Sequence, residues 1–248
     1  MAYPDDGEIF KAEQKKSDDL IFFVHFYKGN KKLLRRHIEF VNELGFDAYA
    51  FNLKDSAKQY HYIPYSHIAH KFGMKHALAD QIQQHLDLLP EYKTKLVYAF
   101  SNVAGCAIEA IARRLKDDKK DIKGMVCDSG PGDHLIYSSY MLLEEEMHVT
   151  SWPLKILGTP AVTIGWSPYL HHDIGHDLDT FPKGFPLLSI RGWRDKMISP
   201  KHIDEIFEPH KNLNWKKLSL PEAGHLNGLR DFPSEYRPAV EDFLHQFM

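Results

Sequence analysis

The sequence predicts an α/β fold, an open and mostly parallel sheet with helices on both faces. Two patterns predict it. Short apolar runs alternate with helix-length amphipathic stretches along the whole chain, as in units that wind a parallel sheet. The clearest run, residues 21–27 (IFFVHFY), is apolar throughout, as expected of a strand covered on both faces. With 248 residues, 43% of them hydrophobic, the chain is long enough for one sizeable core and reads as a single domain over 1–248.

Residues 31–44 follow, with Leu34, Ile38, Val41 and Leu44 near helical spacing, and Gly45 stands where a helix C′ residue belongs. Residues 47–53 (DAYAFNL) read as the next strand. Residues 55–70, polar and rich in tyrosine and histidine, read as a loop, and 77–89 as a helix ended by Pro90. The strand Lys95–Phe100 leads into an alanine-rich helix over 102–115. Ile122–Asp128, 186–191 (PLLSIR) and 215–220 (WKKLSL) supply three more strands, and a last helix covers about 234–247. Residues 134–182 break this rhythm with MLLEEEM, four prolines, Trp152, Trp166 and Tyr169. The stretch is too long for an ordinary connection and predicts an inserted, mostly helical lid.

A net charge of −3 argues against a nucleic-acid partner held by bulk electrostatics. Two cysteines, Cys106 and Cys127, make no disulfide framework and fit a reduced, cytoplasmic setting. The N-terminus lacks an apolar secretory core. The longest apolar stretch, 152–170, is broken by Lys155 and by prolines, so a membrane partner is not expected. Neither a phosphate loop nor a dinucleotide fingerprint occurs, so no cofactor is expected.

Three residues carry a candidate chemistry. Ser101 lies between a buried strand and a small-residue helix (LVYAF-Ser101-NVAGCAIEA). A sharp strand-to-helix turn lifts a nucleophile above the sheet and aims helix N–H groups at the reacting oxygen. Asp195 ends PLLSIRGWRD, just beyond a strand, where ligands bind in open α/β sheets. His225, in LSLPEAGHLNGL, also follows a strand and can carry a proton from the serine to a leaving group. Read together, Ser101 attacks, His225 is the base and Asp195 orients the imidazole. The bland alternatives are a helix-capping serine, a capping aspartate and one histidine among sixteen.

The segments IFFVHFYKG, AFSNVAG, PLLSIRGWRD and PEAGH, with the chain order Ser, Asp, His, resemble the α/β-hydrolase superfamily over nearly the whole chain. FSN, DSGPG at 128–132 and HLNGLRDFPSEYRPAVEDFL are similar to the eukaryotic transmembrane-protein-53 group, which implies a fold without a settled substrate. The superfamily resemblance implies an esterase-like serine hydrolase, with thioester or peptide cleavage as variants and a small, apolar acyl compound as partner. It also implies an oxyanion hole from the backbone N–H of Asn102 and of Phe26 or Tyr27. Trp152, Trp166 and Tyr169 are candidates for the pocket or for packing of the lid.

The sequence departs from the family at two places. The elbow G-x-S-x-G reads Ala99-Phe100-Ser101-Asn102-Val103. The bulk of Val103 requires a shifted helix, with Ala104 and Gly105 making the close contact, or else marks a binding scaffold with little turnover. Residues 1–20 hold few strands, so a shortened sheet is expected. Among rivals, Asp128 could serve as the acid, although DSGPG reads as a turn. Cys106 reads as a buried small hydrophobe. His171, His172, Asp173, His176 and Asp177 offer metal-ligand types, yet Gly175 and Pro168 favour a solvated lid turn, and His67, His70 and His76 are weaker still. No metal is expected.

Overall fold

The computed structural model describes residues 7–54, 73–167 and 170–248. The loop expected at 55–70, with His67 and His70, and the pocket candidate Tyr169 lie outside those residues. The strands are β1 (Glu8–Phe10), β2 (Leu20–Val24), β3 (Asp47–Ala50), β4 (Lys95–Phe100), β5 (Ile122–Asp128), β6 (Phe185–Gly192) and β7 (Leu213–Leu220). They form one sheet in the order β1-β3-β2-β4-β5-β6-β7. All pairs are parallel except β1 with β3.

The helices are α1 (Arg35–Leu44), α2 (Met74–Asp87), α3 (Ala104–Lys116), α4 (Leu135–Met141), α5 (Trp152–Trp166), α6 (Leu170–Asp179), α7 (Pro200–Phe207), α8 (Gly228–Asp231) and α9 (Pro233–His245). Gly45 ends α1 at φ 102, the left-handed conformation that only glycine adopts without strain.

Alternation along the strands divides the core in two. Phe22, Val24, Val97, Ala99, Met125 and Cys127 pack with Ile82, Ile108, Ile111 and Ile174 on one face. Ile21, Phe23, Leu96, Tyr98, Val126 and Ile190 pack with Ile38, Val41, Tyr236 and Phe243 on the other. Because β2, β4 and β5 bury both faces, their sequences are apolar at almost every position. The N-terminal sheet is short, as expected: among the described residues only the three-residue β1 precedes β2.

Between β5 and β6 the chain runs through α4, a π-helical turn at Leu142–Glu146, α5 and α6. The turn expected around His171–Asp177 is instead part of the helix α6. Ile174 and Leu178 are fully buried, and Asp173 and Asp177 face His76 and Lys75 of α2 at 3.4 and 3.8 Å. These contacts outweigh the roughly 1 kcal/mol that Gly175 costs a helix. Both cysteines are free and buried. Burial pushes their thiols well above the usual value, so Cys106 stays a protonated core residue.

Beneath α6 lies a buried ionic knot. Lys75 Nζ donates to Glu109 Oε2 at 2.7 Å, His76 Nδ1 meets the same carboxylate at 2.8 Å, and Arg113 Nη2 donates to Oε1 at 2.6 Å. Burial alone would raise the Glu109 pKa, but Lys75, His76 and Arg113 outweigh it and hold the carboxyl well below its usual range. Glu109→Gln keeps the volume and leaves buried Lys75 with only the more distant Asp177, at 3.8 Å, as an anionic neighbour within 4 Å among the described residues. It should cost about 3–5 kcal/mol, read as a lowered urea midpoint with an unchanged slope.

Candidate active site

Ser101 follows β4 directly and opens the 3-10 turn Ser101–Val103, which runs into α3. Its φ is 55, a left-handed value rare for a residue with a side chain. The chain thereby reverses sharply at the C-terminal edge of the sheet, and the hydroxyl emerges there. His225, in the loop after β7, places Nε2 3.0 Å from Ser101 Oγ. Its Nδ1 lies 2.7 Å from Asp195 Oδ2. The other Asp195 oxygen accepts N–H bonds from Met197 at 2.8 Å and Ile198 at 2.9 Å. A carboxylate so held accepts from Nδ1–H, which leaves Nε2 as the lone-pair nitrogen facing the serine hydroxyl. The three residues thus come together at one sheet edge, each from the loop after a different parallel strand.

Asp128, the rival acid, points elsewhere. It is buried and accepts from Tyr236 OH at 2.5 Å and Ser129 Oγ at 2.8 Å. Tyr236 OH also meets Tyr98 OH. Burial, then the neighbouring Asp128, holds the Tyr236 phenol well above its usual pKa, so it remains a proton donor.

A largely apolar pocket opens over Ser101 and His225, with an empty volume of about 600 Å³ continuous with solvent. Phe26, Tyr27, Asn102 and Trp166 line it, and Trp166 meets Tyr27 edge-on at 5.6 Å. Trp152, a pocket candidate in the sequence, does not line it. It begins α5 and is 68% exposed: it shares a helix face with Thr159 and Trp166 but stands about 20 Å of helix before Trp166, beyond the pocket.

The chain resembles solved structures over nearly its full length. An esterase from Pyrococcus furiosus, Pf2001, shares 21% identity at a TM-score of 0.69, covering 98% of this chain and 85% of that one. An α/β hydrolase from a Medee basin deep-sea metagenome library shares 16% at 0.66, covering 98% and 94%. A mutant epoxide hydrolase from Bacillus megaterium shares 15% at 0.57, covering 96% of each. The chain has the α/β-hydrolase fold. No protein-family model matches it, and no curated protein sequence does.

Within this fold the Val103 elbow is accommodated. Val103 is fully buried in the core, and the 3-10 turn delays α3 to Ala104. Gly105 does make a close contact, but with the insertion: a Cβ there would lie 2.9 Å from Ile174 Cδ1 of α6. Against Ser101 itself the tight approach comes from Gly130, where a Cβ would fall 2.5 Å from the Ser101 carbonyl carbon and oxygen.

Sequence reasoning passed over Leu135, Ser138, Ser139, Leu142, Val162, Met197 and Leu226, which also line the pocket. The spacing of Leu135, Ser139 and Leu142 at i, i+4 and i+7 was a usable signal. It also passed over His25. This buried imidazole accepts the Leu53 N–H through Nε2 at 2.8 Å, so its Nδ1–H donates to the Phe26 carbonyl at 2.7 Å, which also accepts from Gly29 N–H. The loop carrying Phe26 and Tyr27 is thereby clamped beside Ser101.

Gly130→Ala should press directly on the elbow. It should lower stability by about 1–3 kcal/mol, measured by denaturant unfolding, and a crystal structure of the variant should show the Ser101–His225 contact lengthened.

Proposed function

We propose that the chain is a serine hydrolase that cleaves an ester or related acyl bond through an acyl-enzyme on Ser101. The unbroken path Ser101 Oγ, His225 Nε2, His225 Nδ1, Asp195 Oδ2 carries this reading. Ser101 Oγ bonds to the acyl carbon as its proton moves to His225 Nε2, and Asp195 steadies the resulting imidazolium. The tetrahedral oxyanion faces backbone N–H groups of Asn102 and of Phe26 or Tyr27. Collapse breaks the bond to the leaving group, which takes the proton from His225. Water, deprotonated by His225, then releases the acid and restores Ser101.

The fold alone leaves the reaction open, since a Bacillus protein named as an epoxide hydrolase shares it. A serine at the elbow, within reach of a histidine base, favours acyl chemistry, as does the likeness to a Pyrococcus protein named an esterase. The apolar wall of Leu135, Leu142, Val162 and Met197 suits an apolar acyl group. The insertion supplies most of that wall and acts as the lid. Trp152, Leu154, Ile156 and Leu157 remain exposed on its outer side, consistent with a small apolar substrate reaching the protein from that side. Two buried free thiols favour a reducing, cytoplasmic setting. No helix among the described residues is long and apolar enough to cross a membrane.

A fluorophosphonate should label Ser101, as seen by peptide mass spectrometry, and the label should vanish in His225→Ala. Ser101→Ala should lower kcat/KM on short-chain esters at least about a thousandfold with an unchanged melting curve. A folded protein that takes no label and hydrolyses no ester defeats the reading in favour of a binding scaffold. His25→Ala should lower kcat roughly 10- to 100-fold with KM little changed, because it loosens the Phe26–Tyr27 loop without touching substrate. Steady-state kinetics on the same esters distinguishes this from a binding defect.

A further inference from the structure

Four ligand-type side chains converge outside the pocket. Asp133 and His134 immediately precede α4, while His202 and Glu205 stand three residues apart on α7 and share a face. One ligand atom from each lies within 4.8 Å of the others. None of the four lines the cavity at Ser101.

The spacings within the group favour a shared central ion over direct pairing. His134 Nε2 lies 3.6 Å from Asp133 Oδ1 and 3.5 Å from Glu205 Oε2, too far for good hydrogen bonds. An ion held tetrahedrally at about 2.1 Å by four ligands keeps those ligand atoms about 3.4 Å apart. The rings of His134 and His202 stack at 4.0 Å and 12°, so binding one ion in both ring planes turns the exposed His134 ring out of the stack. Nδ1 of His202 is buried and meets no hydrogen-bond partner among the described residues. A cleft lined by Asp133, His134, Glu205 and His210 leads to the group from solvent.

We propose that Asp133, His134, His202 and Glu205 bind one divalent cation of the zinc class. Two imidazoles with two carboxylates suit a borderline ion such as Zn²⁺, whereas Ca²⁺ and Mg²⁺ prefer all-oxygen sets. The ion joins the foot of the insertion to the helix that follows the Asp195 loop. That junction is already close-packed: Asp133 N donates to the His202 carbonyl at 3.3 Å, and a Cβ on Gly132 would meet Ile198 Cγ2 at 2.6 Å. Its role is structural, and no step of acyl transfer passes through it.

The chelator-treated full chain, titrated with ZnCl₂ by calorimetry and with CoCl₂ by visible absorption, should bind one equivalent, the Co²⁺ spectrum showing four-coordinate intensity. Zinc at a hundredfold excess over Kd should raise Tm by about 5–10 °C. His134→Ala, at an exposed position, and Glu205→Gln should each fold and weaken Zn²⁺ binding at least about tenfold, since even outer-shell losses reach that size. His172 and His176, exposed at i, i+4 on α6, are the rival ligands. Binding that survives His134→Ala and Glu205→Gln but is lost in the His172→Ala/His176→Ala double variant overturns the proposal. The absence of saturable binding by a protein that melts cooperatively overturns it as well.

Discussion

The left-handed backbone of Ser101 is the constraint on which the arrangement depends. A side-chain-bearing residue held at φ 55 costs about 1–3 kcal/mol, and it persists only where its surroundings leave no alternative. Val103, fully buried two residues on, contributes stabilisation of similar size through apolar burial and anchors the turn from below. The Asp128–Gly132 segment braces the other side. Gly130 lies against the Ser101 carbonyl, and Gly132 N–H donates to the Asn102 side chain at 3.2 Å. Ser129 Oγ accepts from the N–H of Leu226 at 3.1 Å, next to His225. One short loop therefore supports both Ser101 and the neighbour of His225.

Sheet topology explains why these loops meet. The chain lays β3 on one side of β2 and then crosses to place β4 on the other. Loops that leave the C-terminal ends of β2 and β4 diverge there and open a crevice, the usual ligand position in such sheets. Phe26 and Tyr27 follow β2, Ser101 follows β4, and the loops after β6 and β7 bring Asp195 and His225 to the same edge. Parallel pairing brings the short loops after β4, β6 and β7 to one edge, while the long connection between β5 and β6 passes over the pocket.

Much of this was legible in the sequence. The buried strands announced themselves as unbroken apolar runs, and Lys95–Phe100 and Ile122–Asp128 have the bounds read from sequence. Ser101, Asp195 and His225 stood out because each follows such a run. What stayed hidden depends on contacts between distant segments. β1 has only three residues, EIF, and is a strand because β3 offers it an antiparallel edge. The helix α6 survives its glycine through burial against α2 and the core. Trp152 looked like a pocket residue by composition, but it opens α5 some four helical turns before Trp166, and only the far end of that helix reaches the pocket. Gly130 carries no local signal, since the atom that needs the space belongs to Ser101, some thirty residues earlier in the chain.

Tyr236 has a further consequence. Rooted in α9, it reaches beneath the sheet edge to Asp128 and Tyr98, while β7 and the His225 loop also belong to the stretch 213–248. A chain emerging from the ribosome therefore makes Ser101 long before it makes His225, β7 or this rear prop. Loss of α9 would remove a partner from the buried carboxylate that ends β5, which makes this helix as much a part of the core as the strands it covers.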